Sequence, residues 1–438
     1  MSASIKATDV LAVGLMTFAL FLGAGNMIFP PYLGQIAGSD LVIALLGFLI
    51  TGVGLPLLGV IATARLGEGL SGFTRDLPVW ISMVVGLVLY LAIGPLFAAP
   101  RTGIVAWEMS FADVFPDAEY GQMIYSIAFF GVTLLLSLFP GRLIDSIGKI
   151  ITPTLVVVLL AIGVGVFMFP QGETGTITTI EGNAFSWGFR HGYQTMDTLA
   201  SLAFGIVIIT ALHARGVTDK NEITRHTITA GVIAAVGLGA VYIMLAYLGA
   251  TSHAVAPGAE NGADILTSYI FSMYGSFGTV LLGISITLAC LTTSVGLMTA
   301  CAEYFNEVLP AMSYRGYVIL CTLVSAVVAN VGLNELLSLT LPALLIIYPI
   351  AISLILLALV RKFIKEPSTT YVMTLIPVFA VGLIDGLAAS NVAWATVISG
   401  STLSSLPLHD ESLGWLFPGL VGFMFSFAIR GNKTAAEV

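Results

Sequence analysis

The sequence predicts an all-α integral membrane protein of about twelve transmembrane helices. Three observations carry this. Hydrophobic residues make up 57% of the chain and charged residues 9%, against roughly 25% charged in an ordinary soluble domain. The apolar residues fall into runs long enough to cross a bilayer. The Lys and Arg residues fall between those runs with a strong bias to one side.

The runs cover residues 7–38, 40–64, 78–112, 120–139, 147–169, 186–214, 223–250, 274–306, 314–330, 335–360, 371–389 and 412–429. A soluble chain of 438 residues would hold two or three domains; here the whole length reads as one transmembrane domain with lipid as its solvent. The first apolar run, Val10 to Leu22, is preceded by a single lysine, Lys6, and followed by many others, so it reads as an uncleaved first helix. Segments 170–185, 251–273 and 390–411 are polar loops with room for short helices, and Arg430 to Val438 reads as a disordered tail.

Twelve spans with a cytoplasmic N-terminus place 14 of the 16 Lys and Arg residues inside: Lys6, Arg65, Arg75, Arg142, Lys149, Arg215, Lys220, Arg225, Arg315, Arg361, Lys362, Lys365, Arg430 and Lys433. Arg101 and Arg190 fall at or near the outer face. This is the positive-inside pattern; both termini are then cytoplasmic. Acids of the outer loops, among them Asp113, Asp117, Glu119 and Glu181, carry little orientation information.

A net charge of −8 offers no basic surface for nucleic acid. Cys290, Cys301 and Cys321 lie in apolar stretches and read as small packing residues. His191, His213, His226, His253 and His409 have no metal-ligand spacing. No nucleotide-binding or hydrolytic motif is present, which excludes an ATP-driven pump and argues against an enzyme.

Two spans are interrupted at matching places. The first carries Gly23-Ala-Gly-Asn26 followed by Pro30-Pro31. Interior glycines each cost about 1 kcal/mol relative to alanine, and proline is tolerated in the first turn of a new helix. The pattern predicts half-helices over 7–22 and 27–38 with a break at 23–26; the plainer alternative is a glycine packing face. The sixth span carries Met196-Asp-Thr-Leu-Ala-Ser-Leu-Ala-Phe-Gly205. Asp197 is expensive at membrane depth unless it sits near the outer interface within reach of water. Five spans separate the two interruptions, so two five-span units in series have opposite orientations. Paired discontinuous helices of this kind mark a midplane binding site in secondary transporters, with freed amides for a carboxylate and freed carbonyls for a cation. The halves are residues 7–169 and 186–360, followed by two further helices over 371–429. In the eighth span Thr292-Thr293-Ser294 places three hydroxyls in an apolar helix. These are hard ligands suited to a small cation, or hydroxyls bonded back to their own helix.

At these residues the chain resembles the LIVCS family, the BrnQ-type branched-chain amino acid:cation symporters. The likeness covers nearly the whole length and rests on Phe18-Ala-Leu-Phe-Leu-Gly-Ala-Gly-Asn-Met-Ile-Phe-Pro-Pro31, Gly94-Pro-Leu-Phe-Ala-Ala-Pro-Arg-Thr102, Met196-Asp-Thr-Leu199 with Phe204-Gly-Ile-Val207, and Ala300-Cys-Ala-Glu-Tyr-Phe305. It implies uptake of leucine, isoleucine and valine coupled to Na⁺ or, less often, H⁺. No cofactor beyond the coupling ion and no obligate protein partner is implied.

A more distant resemblance, confined to spans 1, 6 and 8, is to the LeuT-type fold. It implies a substrate carboxylate on the amides of Ala24 and Gly25 and substrate contacts at Thr198, Leu199, Ser201 and Phe204, with Ser201-Leu-Ala-Phe-Gly205 as the sixth-span break. It implies a sodium site from Ala289, Thr292 and Thr293 completed by carbonyls of Ala19 and Leu22, and matches Asn26 to a ligand of a second sodium site. Asp197 departs from that fold's usual apolar residue, which leaves amino-group contacts and proton coupling open. Arg101 reads either as an outer gate paired with Asp197 or Glu108, or as a side chain snorkelling to the interface. The reading is a symporter working by alternating access. A proton symporter using Asp197, a passive facilitator and a non-transporting receptor are the rivals.

Overall fold

A computed structural model describes residues 6–112, 120–139, 152–175, 178–180 and 182–436, with side chains as far as residue 427. Asp113, Asp117, Glu119, Arg142, Lys149 and Glu181, the start of the fifth expected span, and the side chains of Arg430 and Lys433 lie outside the described residues.

Among the described residues there are helices and turns and no strand. The first expected span is α1 (Ala7–Phe21) and α2 (Ala24–Ala37), and the second is α3 (Leu41–Leu49) and α4 (Leu55–Leu66) joined by a π turn. After the short α5 (Leu70–Thr74), the third is α6 (Val79–Leu91) and α7 (Ala98–Trp107). The fourth and fifth are α8 (Gly121–Ser137) and α9 (Thr152–Met168), and the sixth is α10 (Ala184–Tyr193) and α11 (Asp197–His213). Then come α12 (Lys220–Ala250), α13 (Gly262–Val308), α14 (Tyr314–Val328), α15 (Leu333–Val360), α16 (Pro367–Ala389), the short α17 (Ala393–Ser401) and α18 (Leu416–Ala436). Among the described residues six helical stretches, or seven if the bent α10–α11 pair is one span, are long and apolar enough to cross a membrane, and five further apolar helices run 10–17 residues. Val42, Val79, Val236, Phe277 and Val327 are exposed, an outer surface suited to lipid.

The first break is shorter than expected. Only Leu22 and Gly23 leave the helix, because Oδ1 of Asn26 accepts the Gly23 N–H at 3.0 Å and starts the next helix three residues earlier. Pro30 and Pro31 therefore lie inside α2 and not in its first turn. They leave the carbonyls of Asn26 and Met27 without their usual donors.

The sixth-span break is displaced. Ser201 to Gly205 is regular helix, and the chain turns at residues 194–196, where α10 and α11 meet at 42°. Met196 takes the left-handed conformation with φ 65°, at about 1–2 kcal/mol for a non-glycine residue. Gly205 has a packing role: a methyl group there would lie 2.5 Å from the Thr63 side chain of α4.

The third span is also broken. Gly94, before Pro95, departs from helical angles (φ −93°, ψ −117°), and Phe97 has φ −130°, so α7 starts afresh at Ala98. The segment 251–273 is helical from Gly262, where Asn261 caps the amides of Ala263 and Asp264, and it meets the eighth span at a kink on Gly275. The expected disordered tail is helix as far as Ala436.

Small residues bring these segments together backbone to backbone. Gly188 and Gly192 form a small-xxx-small face on α10. A methyl group at Gly188 would lie 1.8 Å from the Ala44 carbonyl of α3, and one at Gly192 would lie 1.8 Å from Oγ1 of Thr51. On the other side, a methyl group at Gly249 of α12 would lie 1.9 Å from the Pro31 carbonyl of α2. Asp76 takes two bonds from Arg361, 2.6 Å from Nε and 2.9 Å from Nη2. This joins the turn after α5 to the end of α15.

Gly188→Val is expected to push α10 off α3 and lower the melting temperature of the detergent-purified protein, at an overpacking cost of about 1–3 kcal/mol. Gly239→Ala, whose added methyl group meets nothing within 4 Å, is expected to leave it unchanged or slightly raised. Equal melting temperatures for the two variants would rule out close backbone packing as the reason for Gly188.

Candidate functional site

The three breaks converge on one cavity. Gly23, Ala24, Gly25 and Asn26 line it from the first break, and Thr195, Met196 and Asp197 from the sixth. Ile93, Ala98, Arg101 and Thr102 line it from the third span, and Thr293 and Leu297 from α13. Phe21 and Phe204 supply an apolar wall, their rings edge to face at 5.8 Å.

Asp197 sits on this wall only 3% exposed, which removes the water-reached alternative. Its Oδ2 accepts from Nδ2 of Asn26 at 2.6 Å and from the Tyr242 hydroxyl at 2.7 Å. Asn26 Nδ2 and the Tyr242 hydroxyl are also bonded to each other. Asn26 thus spends its oxygen on Gly23 and its amide nitrogen on Asp197, tying the first break to the sixth. Tyr242, on α12, went unnoticed in the sequence. A tyrosine in an apolar run needs a partner for its hydroxyl, and that was the available signal.

Arg101 neither snorkels nor forms an ion pair with Asp197. It is 3% exposed. Its Nη1 donates to the Gln194 carbonyl at 2.5 Å and its Nη2 to the Thr195 carbonyl at 3.3 Å. A cation there meets the negative end of the α10 dipole. The guanidinium also lies 5.4 Å above the Phe29 ring.

Ala24, Gly25, Asn26, Asp197 and Phe204 are therefore gathered on the cavity, and Thr198, Leu199 and Ser201 are not. Thr198 donates to the Thr51 carbonyl at 3.2 Å, and Ser201 donates to the Thr198 carbonyl at 2.7 Å. Ser201 lies against Gly59, where a methyl group would come within 1.9 Å of its Oγ. Starting α11 at Asp197 turns Thr198 and Ser201 toward the second span.

The candidate cation ligands separate in the same way. Thr292 donates its hydroxyl to the Ala289 carbonyl at 2.7 Å, the back-bonded alternative. Thr293 Oγ1 is buried without a partner among the described residues and faces the first break, where a methyl group on Gly23 would lie 3.3 Å from it. Gly23, whose N–H in an unbroken helix would bond the Ala19 carbonyl, donates to Asn26 instead. Ala19 and Leu22 lie within this buried stretch.

A family model described as branched-chain amino acid transport protein matches residues 6–433. The chain is 47% identical over 416 residues to the branched-chain amino acid transport system 2 carrier protein of Pseudomonas aeruginosa, covering 94% of each. It is 42% identical over 434 residues to the branched-chain amino acid permease BraB of Bacillus subtilis, covering 98% of this chain and 97% of that one. It is 40% identical over 438 residues to the permease BrnQ of Escherichia coli, covering 100% and 98%. These relatives are carriers and permeases, not enzymes. Two solved structures share the fold: MhsT in complex with L-phenylalanine (TM-score 0.57, 15% identity, 95% of this chain and 98% of that one), and a Na⁺-coupled sialic acid symporter (0.62, 12%, 97% and 90%). Both are LeuT-like. The chain is a multi-pass membrane protein and belongs to the branched-chain amino acid transport protein family.

Proposed function

We propose that the protein is a secondary symporter that imports leucine, isoleucine and valine together with Na⁺ by alternating access, with both termini in the cytoplasm. The observation that carries this reading is the meeting of two broken helices around one cavity that holds a buried carboxylate, Asp197, beside an apolar wall. The relatives are named for branched-chain amino acids, and one protein of the same fold for Na⁺ coupling.

In this reading the substrate carboxylate docks on the amides of Ala24 and Gly25, at the positive end of α2. Its ammonium faces Asp197, and its branched side chain lies among Phe21, Phe204, Ile93 and Leu297. Na⁺ binds carbonyls of Ala19, Leu22 and Ala289 with the hydroxyls of Thr292 and Thr293. Support comes from the unpartnered Thr293 hydroxyl and from the diversion of the Gly23 N–H away from Ala19. An ion shared by the first and eighth spans stabilises the state that brings them together. The membrane potential adds about 2.3 kcal/mol per charge per 100 mV to its entry. Residues 7–169 and 186–360 would be the two halves that move against each other.

One observation favours proton coupling instead. The hydrogen-bond partners of the Asp197 carboxylate, Asn26 and Tyr242, are both neutral, an arrangement that leaves its charge free to be neutralised by a proton.

Leucine uptake into proteoliposomes separates the readings. An inward Na⁺ gradient is expected to drive accumulation, and an H⁺ gradient alone is not. Equilibration without accumulation under either gradient would leave only a passive facilitator. Thr293→Val is expected to raise the Na⁺ concentration for half-maximal uptake about tenfold, equivalent to about 1.4 kcal/mol; an unchanged Na⁺ dependence removes Thr293 from the ion site.

The Asp197 cluster makes its own prediction. Tyr242→Phe strips one hydrogen bond from a buried carboxylate and is expected to lower stability in detergent by about 1–3 kcal/mol. Added to Asp197→Asn, the same change is expected to cost much less, because the charge it served is gone. Fully additive effects in the double variant would show that the two side chains act independently.

A further inference from the structure

We infer that Arg101 is a carboxylate-binding residue of the cavity, so that the site reads a zwitterion with one buried charge of each sign. This deepens the transport reading and rests on it. Four observations lead there.

Arg101 lies in the first turn of α7, the helix that restarts after the break at Gly94 to Phe97, and its own N–H donates to the Phe97 carbonyl at 3.2 Å. The amides of Ala98 and Ala99 ahead of it have no acceptor within their helix. Ala98 lines the cavity, so the positive end of α7 faces the same space.

The guanidinium is 3% exposed and, among the described residues, is the only Lys or Arg side chain lining the cavity. Two of its nitrogens are committed to Gln194 and Thr195, while Nε is buried with no partner among the described residues. A cap for the end of α10 accounts for the first two nitrogens and leaves the third unexplained. An unmet donor on a buried cation is costly, and a carboxylate oxygen is the acceptor a guanidinium fits best.

The group also lies directly on the first turn of α2. A methyl group at Gly25 would come within 2.8 Å of Nη2 and 3.1 Å of Cζ. The amides of Ala24 and Gly25 and the Arg101 fork therefore converge on one spot. Asp197 lines the same cavity, which supplies the opposite charge for an ammonium group.

The test is ligand binding to the purified full-length protein in nanodiscs, comparing L-leucine with L-leucinamide, which keeps the ammonium and side chain but lacks the carboxylate. Wild-type protein is expected to prefer leucine strongly. Arg101→Gln is expected to weaken leucine about 10- to 100-fold while changing leucinamide less than about threefold; Arg101→Lys, which keeps the charge but not the fork, should fall between. Gly25→Ala, which displaces the guanidinium without removing it, is expected to shift the same ratio in the same direction and carries the comparison if Arg101→Gln does not fold. Parallel loss of both ligands, or loss of neither, overturns the assignment and leaves Arg101 as a cap on α10. Wild-type protein that accumulates no leucine in proteoliposomes fails the transport reading itself, a result distinct from wild-type uptake with an unchanged leucine-to-leucinamide ratio in the variants.

Discussion

Everything about this cavity depends on one buried carboxylate being held by two helices at once. Asp197 opens α11, accepts from Asn26 in the first turn of α2, and accepts from Tyr242 on α12. A charge taken out of water is tolerable only with good partners, so these three residues fix where the two interruptions of the chain sit relative to each other. The same Asn26 sets the break itself, because its other end binds Gly23. One side chain thus determines both the local backbone and the tertiary contact.

The surroundings serve to keep that arrangement compact. Broken backbone at membrane depth is stable only where protein, not lipid, covers it. The glycines of α3, α10 and α12 permit that cover by letting helices touch through their main chains. Arg101 supplies the rest, holding two carbonyls at the end of α10 that no longer have helical donors.

Much of this was legible in the residues. Low charge, apolar runs and the distribution of lysine and arginine led to the membrane class, and the family resemblance agrees with the relatives found. Gly23-Ala-Gly-Asn26 marked the place of the first break, though the next helix starts three residues earlier than that pattern suggests. The sixth-span break was misplaced because Ser201 and Gly205 look like helix breakers but are small for another reason: they let α11 lie against Gly59 and Thr63 of α4. The true turn is carried by Met196, a residue with no intrinsic preference for a left-handed backbone, so its conformation comes from tertiary contacts that no local pattern encodes. Tyr242 offered only the general signal of a hydroxyl in need of a partner, and the Gln194 and Thr195 carbonyls offered none, since their roles exist only once distant segments meet.

The forked contact between Arg361 and Asp76 has a mechanical implication. Its two bonds are parallel, so separating the turn after α5 from the end of α15 breaks both together and not in sequence. The arginine side chain is 31% exposed and its partner 13%, open enough for dissolved ions to weaken the clasp. The hold between those two segments therefore loosens as the ionic strength around it rises.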